Sequence, residues 1–353
     1  MIRFGLIGCG KIAERHAKLL GGNHVHGANL AAVYDLNQER AQIVADMYGA
    51  KVSKSLEQML SSGDVDAVSV LTPSGLHAEN ILQIAEFGVP IVIEKPLALT
   101  LDDADRIIEA CDRRRAKVFV VKQNRFNLPV QALRKALDAG RFGKLVLGTV
   151  RVRWCRRQEY YDQASWRGTW AYDGGVLANQ ASHHIDLLEW MMGPVDSVFG
   201  AATKALVNIE AEDTAVVTIR FRNGALGIIE ATTATRPKDL EGSLSVLGEK
   251  GAVEIGGFAV DKLKTWQFDH KLEEDQAVFE TFGSNPAHPA GFGHAKYYEH
   301  VVDCIVNNRQ QLVDGLAGRR SLEVISAIYE SIETRKEVSL RFRPEKCRLG
   351  LLS

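Results

Sequence analysis

The chain has 353 residues, of which 25% are charged, with a formal net charge of −1. That length exceeds a comfortable single core, so two domains are expected, and the balanced charge excludes the basic excess that would mark nucleic acid or an anionic membrane as partner. No apolar run approaches the ~20 residues of a spanning helix. The opening MIRFGLIGCG is too short and too glycine-rich for a signal peptide. Cys9, Cys111, Cys155, Cys304 and Cys347 are odd in number and scattered without C-x-x-C. That suits reduced thiols in the cytoplasm, with neither a disulfide framework nor a metal site. A soluble cytoplasmic enzyme is expected.

In chain order, residues 2–7 (IRFGLI) form a β-rich run that stops at Gly8. Gly8-x-Gly10-x-x-Ala13 follows and leads into a helix over 11–20 that starts on Lys11 and Ile12, and a strand over 30–34 ends at Asp35. Strand, tight glycine turn, helix, strand and acidic residue are the context a dinucleotide fingerprint requires. The glycines let a pyrophosphate rest on backbone N–H groups at the positive end of a helix. Asp35 would accept hydrogen bonds from ribose hydroxyls and repel a 2′-phosphate, which favours NAD over NADP.

The alternation continues with a strand over 66–71, Thr72-Pro73-Ser74, and a helix from His77 to Phe87. A strand over 89–93 then ends in Glu94-Lys95-Pro96, before a helix over 102–115 and a strand over 117–121. This rhythm means right-handed βαβ crossovers and a parallel sheet, an α/β Rossmann domain over residues 1–122. Ligands lie at the carboxyl ends of such strands, where Thr72-Pro73-Ser74 and Lys95 emerge. Lys95 then stands beside a nicotinamide or, on the plainer reading, is a surface lysine paired with Glu94.

After Gln123-Asn124-Arg125-Phe126-Asn127 comes a helix over 130–139, and from Lys144 the pattern becomes strand-rich. Residues 214–222 and 225–235 flank an Asn223-Gly224 hairpin signal, and 244–247 with 252–255 make a second hairpin. An α+β domain over 123–353 is expected, with a large, open, mostly antiparallel sheet that covers the cofactor site and offers its other face to a partner subunit. Residues 270–293 read as a long loop, of a length that belongs to a lid or a mobile excursion. Helices over 295–307 and 318–336 finish the chain.

The stretch DGGVLANQASHHIDLLEWMMG (173–193) is placed on a helix over 177–192. At ~100° per residue, Leu177, Ala181, Ile185, Leu188 and Met192 make one apolar stripe with His184 at its edge. Asn179, His183, Asp186 and Trp190 fall together on the opposite side. His184 reads as a packed or interface histidine. His183 reads either as a solvated helix histidine or as a functional group beside a glycine turn that permits close backbone approach. Arg151, Arg153, Arg156 and Arg157, with Tyr160 and Tyr161, make the densest basic patch, suited to a diphosphate and a carboxylate or simply to solvent or a subunit contact.

The glycine turn, the Glu-Lys-Pro at a strand end and the later Gly-Gly…His-x-x-Asp occur in order. Over essentially the whole chain they resemble the glucose–fructose oxidoreductase, inositol dehydrogenase and rhizopine-catabolism (Gfo/Idh/MocA) family of NAD(P)-dependent dehydrogenases. The resemblance implies that Lys95 and His183 flank the nicotinamide and the carbon being oxidised. His183 would be the general base, since an ordinary histidine has a pKa near working pH and can take the proton. Lys95 would hydrogen-bond the reacting hydroxyl and stabilise oxyanion character. NAD would be held by Gly8, Gly10, Lys11, Ile12, Asp35 and Thr72-Pro73-Ser74. His77, Glu94, Lys95, Gln123, Trp166 and Arg167 would complete its site. The substrate would meet Lys95, Arg125, Asn179, His183 and Tyr298. Many family members carry aspartate where this chain has Asn179. An amide can still orient the histidine but supplies no charge, and it avoids repelling an anionic substrate.

Five stretches narrow the resemblance: QNRFNLPVQALRKALDAGRFGKL (123–145), SWRGTWAYDGG (165–175), AEDTA (211–215), LEGSLSVLGEKGAVEIGGFA (240–259) and GHAKYYEHVVDCI (293–305). They look like those of bacterial dehydrogenases that oxidise the C3 hydroxyl of UDP-N-acetylglucosaminuronic acid (UDP-GlcNAcA) to a ketone. An aminotransferase then aminates that ketone on the way to surface polysaccharide. A homotetramer with a UDP-sugar substrate is implied, without nucleic-acid or membrane partners. A free sugar or inositol as substrate, and a non-catalytic NAD-binding regulator, are the alternatives.

Overall fold

The alternating first third folds as a layered α/β unit in the computed structural model, which describes residues 1–284, 292–340 and 349–350. Its elements are β1 (Ile2–Ile7), α1 (Lys11–Gly21), β2 (Ala28–Tyr34), α2 (Gln38–Tyr48), β3 (Lys51–Val52), α3 (Leu56–Ser61), β4 (Ala67–Val70), α4 (His77–Ala85), β5 (Ile91–Ile93), α5 (Leu101–Arg113) and β6 (Val118–Val120). The strands form a six-stranded sheet in the order β3-β2-β1-β4-β5-β6, parallel at every pairing. Strands β4 and β5 are buried at every residue, as parallel strands covered by helices on both faces must be.

The later elements are α6 (Leu128–Asp138), β7 (Leu145–Arg153), α7 (Gln158–Tyr161), α8 (Ser182–Met192), β8 (Val195–Thr203), β9 (Thr214–Phe221), β10 (Leu226–Thr232), β11 (Glu241–Gly248), β12 (Gly251–Gly256), β13 (Lys262–Phe268), α9 (Glu274–Gly283), α10 (Phe292–Val306), α11 (Gly315–Thr334) and β14 (Val338–Ser339). An eight-stranded sheet runs β13-β12-β11-β7-β10-β9-β8-β14. Only β7 and β10 pair in parallel, and the other pairs are antiparallel. Burial alternates along β9 and β10, so one face of this sheet is core and the other is open. Helix α8 packs on β7 and β11.

Two compact units divide the chain. Met1–Gln123 joins with the later stretch up to Arg320 that carries α10, while Asn124 through α9 and the part from Ser321 onward form the second. The sequence reading places all of 123–353 in one later domain, whereas α10 belongs to the first unit. It does so because Tyr298 packs edge-on against Phe4, with ring centroids 5.5 Å apart, and its hydroxyl reaches two buried polar groups there.

Two further differences concern local structure. The stretch read as a loop over 270–293 contains helix α9, stapled by Asp275, which accepts from Arg141 and from the Trp266 indole. Its residues 285–291 lie outside the described residues, as does Cys347; Cys9, Cys111, Cys155 and Cys304 are free thiols. Helix α8 begins at Ser182, five residues later than the periodicity predicts.

Candidate active site

In the first unit the glycine turn is dictated by space. Gly8 has φ +94°, and a Cβ there would lie 3.0 Å from the Leu71 carbonyl carbon, so a side chain is excluded both by backbone strain and by β4's end. Gly10 is different. It precedes α1 with extended backbone and no side chain caps the helix. A Cβ at Gly10 would meet nothing within 4 Å. The amides of Lys11 and Ile12, which a helix start leaves without intrahelical partners, therefore border open space. That is a cradle for the pyrophosphate of a dinucleotide.

Asp35 Oδ2 accepts the Cys9 N–H at 2.6 Å and its Oδ1 accepts the Asn37 N–H at 2.7 Å. The carboxylate is thereby held at the end of β2, directly beside the turn. A shallow depression of about 410 Å³ lined by Tyr34, Leu36, Gln38 and Lys54 adjoins it. Gly10→Val should leave the melting temperature within about 2 °C of the parent while weakening NAD binding at least about tenfold, because the added atoms enter ligand space rather than core. Calorimetry and NADH fluorescence titration read the two effects separately.

One ring lies between the Thr72 and Pro96 carbonyls. His77 is wholly buried, with Nδ1 2.8 Å from the Pro96 carbonyl and Nε2 3.0 Å from the Thr72 carbonyl. Burial pushes its pKa down. His77, expected to contact the cofactor, lies between the two strand-end loops that carry Thr72-Pro73-Ser74 and Glu94-Lys95-Pro96, and its neutral ring donates to one of the two carbonyls. Glu94 is also buried, and its Oε2 accepts the Lys95 N–H at 3.1 Å. Burial works to raise its pKa, but the His16 hydrogen bond and the nearby His16, His294 and Lys95 outweigh that and hold it at about 2. Tyr298, expected to line the substrate pocket, has no exposed surface, and its hydroxyl is bonded to His16 and Ser69 within the first unit. Gln123 opens a 3-10 turn, Gln123–Phe126, where the first unit gives way to the second.

In the second unit the glycine pair is pressed against the AEDTA stretch. A Cβ on Gly175 would lie 2.2 Å from the Glu212 carbonyl oxygen. The Val176 N–H donates to that oxygen at 3.0 Å, and the Leu177 N–H to Glu212 Oε1 at 2.9 Å. These tertiary bonds anchor the stretch ahead of α8; residues 176–181 form irregular turns and α8 starts at Ser182. Asn179 is consequently not a turn of α8. Its Nδ2 donates to Asp173 Oδ1 at 2.5 Å, and Asp173 Oδ2 accepts from the Gly168 N–H at 2.8 Å.

His183 lies in the first turn of α8, half-buried. His184 is fully buried with neither ring nitrogen hydrogen-bonded, and burial pushes its pKa down to about 4. Asp186, placed by periodicity with His183, is 1% exposed and takes Arg125 in two parallel bonds of 2.8 Å. The Arg125 guanidinium also lies 4.8 Å from the Trp190 ring centroid. Arg125, expected to meet substrate, is thus committed to a buried ion pair. Arg167 Nη1 donates to the Tyr160 hydroxyl at 2.7 Å, and its guanidinium lies 4.7 Å from the Trp166 ring. The basic patch is largely neutralised: Arg153 is bidentate on Glu230 at 2.6 and 2.7 Å, and Arg156 pairs with Asp239 at 3.0 Å.

Glu212 itself escaped the sequence reading, although it sits inside a quoted stretch. Tyr329 donates to its Oε1 at 3.0 Å, and its Oε2 is buried with no hydrogen-bond partner. Burial, aided by Asp213, raises its pKa from an ordinary 4.5 to about 7. The native state thus binds a proton the unfolded chain releases, so the stabilisation is complete below pH 4.5 and is lost as pH rises through about 7. The loss amounts to about 3 kcal/mol. Glu212→Gln should flatten the fall in melting temperature between pH 5 and 8, and an unchanged slope would refute the assignment.

A glycine cradle at a helix N-terminus, an acidic residue closing β2, and a lysine emerging from a parallel strand define a dinucleotide-binding oxidoreductase. The chain belongs to the Gfo/Idh/MocA oxidoreductase family: residues 2–122 match its NAD-binding Rossmann fold and residues 134–340 its C-terminal α/β domain. NAD is its cofactor, held by the first unit. The WlbA dehydrogenase of Bordetella pertussis, solved with NADH and UDP-GlcNAcA, is 41% identical, covering 97% of this chain and 98% of its own, with a TM-score of 0.90. The WlbA dehydrogenase of Chromobacterium violaceum, solved with the same two ligands, is 40% identical over 96% of this chain and 95% of its own, also at 0.90. Inositol 2-dehydrogenase of Rhizobium meliloti (strain 1021) is 30% identical over 71% of this chain and 74% of its own. Lys95 and His183 stand in different compact units.

Proposed function

We propose that this chain oxidises the C3 hydroxyl of UDP-GlcNAcA to the 3-keto sugar with NAD. The supporting observation is the likeness to two WlbA dehydrogenases, each holding NADH and UDP-GlcNAcA, over nearly the full length of both chains. Bound NAD supplies the hydride acceptor. His183 takes the hydroxyl proton on an imidazole nitrogen, and Lys95 Nζ hydrogen-bonds the same oxygen as negative charge gathers on it. Asn179 brings a neutral amide to the stretch before His183, and the carboxylate sits one hydrogen bond further back, on Asp173. Gly10, Lys11 and Ile12 hold the pyrophosphate, Asp35 the adenosine ribose.

The product ketone suits amination on the way to a surface polysaccharide, in the cytoplasm, where nucleotide sugars are made. The open face of the second sheet exposes Phe199, Val216, Leu226 and Ile228, which supports a homo-oligomer, proposed as a tetramer. The inositol dehydrogenase likeness favours a polyol as the second reading. Appearance of reduced-nicotinamide absorbance with UDP-GlcNAcA, but not with myo-inositol, is the expected result. Reduction by the polyol alone would overturn the nucleotide-sugar assignment.

A further inference from the structure

Four buried side chains in the first unit form one hydrogen-bonded line that ends on the backbone of Lys95. The Ser69 and Tyr298 hydroxyls, from β4 and α10, are 2.8 Å apart, and the Tyr298 hydroxyl is 2.6 Å from Nδ1 of His16 on α1. His16 Nε2 is 2.9 Å from Glu94 Oε1, and Glu94 Oε2 accepts the Lys95 N–H at 3.1 Å. All four side chains are buried.

One assignment of protons satisfies every atom in the line. Ser69 donates to the Tyr298 oxygen, Tyr298 to His16 Nδ1, and His16 Nε2–H to Glu94, which as an ionised carboxylate accepts at both oxygens. Without those donors a buried carboxylate would be costly. The groups facing Glu94 are His16 from α1, His77 from α4, His294, Tyr297 and Tyr298 from α10, and Lys95 itself. Burial, and then His16, pushes the pKa of His294 down to about 3, so that ring is a neutral wall. On the other side of Lys95, the Pro96 carbonyl is held by His77. The Lys95–Pro96 segment is pinned from both ends.

His16, Glu94 and His294 also bring three ligand atoms within 4.8 Å. The His16–Glu94 contact of 2.9 Å is a hydrogen bond; tetrahedral ligands ~2.0–2.1 Å from zinc stand farther apart than that.

We propose that His16 is a positioning residue for hydride transfer: through Glu94 it sets the backbone at Lys95 and so the point from which the Lys95 ammonium meets the reacting hydroxyl. The proposal rests on the role given to Lys95 above, and the test keeps the two apart. Full-length wild type, His16→Leu and His16→Gln are compared by two readouts. The first is the pH dependence of Lys95 acetylation by acetic anhydride, measured against surface lysines by mass spectrometry without substrate or cofactor. The second is kcat against KM.

His16→Leu should displace the Lys95 labelling curve and lower kcat about 10²-fold, while KM for NAD stays within about twofold. His16→Gln should recover most of both, because its amide can donate to Glu94 and accept from Tyr298. A folded His16→Leu with wild-type labelling and kcat overturns the proposal. Should that variant not fold, Tyr298→Phe, which deletes a single oxygen, must shift the labelling curve in the same direction or the proposal fails. Stoichiometric zinc in the wild type that leaves with His16 would also overturn it and assign a metal site. If wild type turns over no nucleotide sugar, the activity reading fails while the labelling result still decides the role of His16.

Discussion

Lys95→Met lowers kcat about 10²–10³-fold, the loss expected when a preorganised donor to a developing oxyanion is removed. NAD affinity should change little, since the cradle at Gly8, Gly10 and Asp35 lies on other loops. His183→Asn removes the proton acceptor and should cost about 10²–10⁴-fold. If both act on the reacting oxygen, as proposed, the double variant should lose far less than the product of the single losses. Single-turnover formation of reduced nicotinamide measures the chemical step, and NADH fluorescence titration confirms that binding survives. Near-normal turnover in His183→Asn would remove it as the base and leave Lys95 to take the proton.

Arg125→Met should be the most destabilising single change in the second unit. Arg125 and Asp186 side chains are 3% and 1% exposed and joined by two bonds of 2.8 Å. Deleting the cation strips a buried carboxylate of both guanidinium bonds, which costs about 3–5 kcal/mol, or a fall of about 10 °C in melting temperature for a unit of this size. The lost contact with the Trp190 face adds to it. Removing both charges together, as Arg125→Met with Asp186→Leu, should recover most of the loss, because the penalty lies in the orphaned charge. A double variant as unstable as the single would show that the guanidinium's packing, not its charge, carries the effect.

What could be read from the sequence was local or periodic. The glycine turn is legible because Gly8 must adopt positive φ and Gly10 must leave room, and both demands act within a few residues. The parallel sheet is legible because β1, β2, β4, β5 and β6 alternate with helices of the right length. Lys95 is legible because a residue after a parallel strand emerges where ligands lie. The short β3 and α3 escaped because their apolar positions are too few to set a period, and α2, as long as α1, carries exposed Ile43 and Met47 that blur its apolar stripe. Helix α9 was hidden in a charged stretch whose staple, Arg141, is 134 residues from Asp275.

Partners distant in the chain were not legible in the sequence of the candidate site. Periodicity alone grouped Asn179, Asp186 and Trp190 with His183. The tertiary structure gives Asn179 to Asp173, and Asp186 and Trp190 to Arg125. Tyr298 points inward because its hydroxyl is hydrogen-bonded in the core to His16, 282 residues away, and to Ser69. Glu212 anchors the turns ahead of α8, its carboxyl and carbonyl taking two amides from 35 or more residues along the chain. By itself the sequence determined the glycine turn and the parallel sheet that carries it, both set by backbone geometry at short range. Only the tertiary structure decided which polar groups are spent on one another, because a buried charge or hydroxyl must find its partner in space, however far away it lies in the chain.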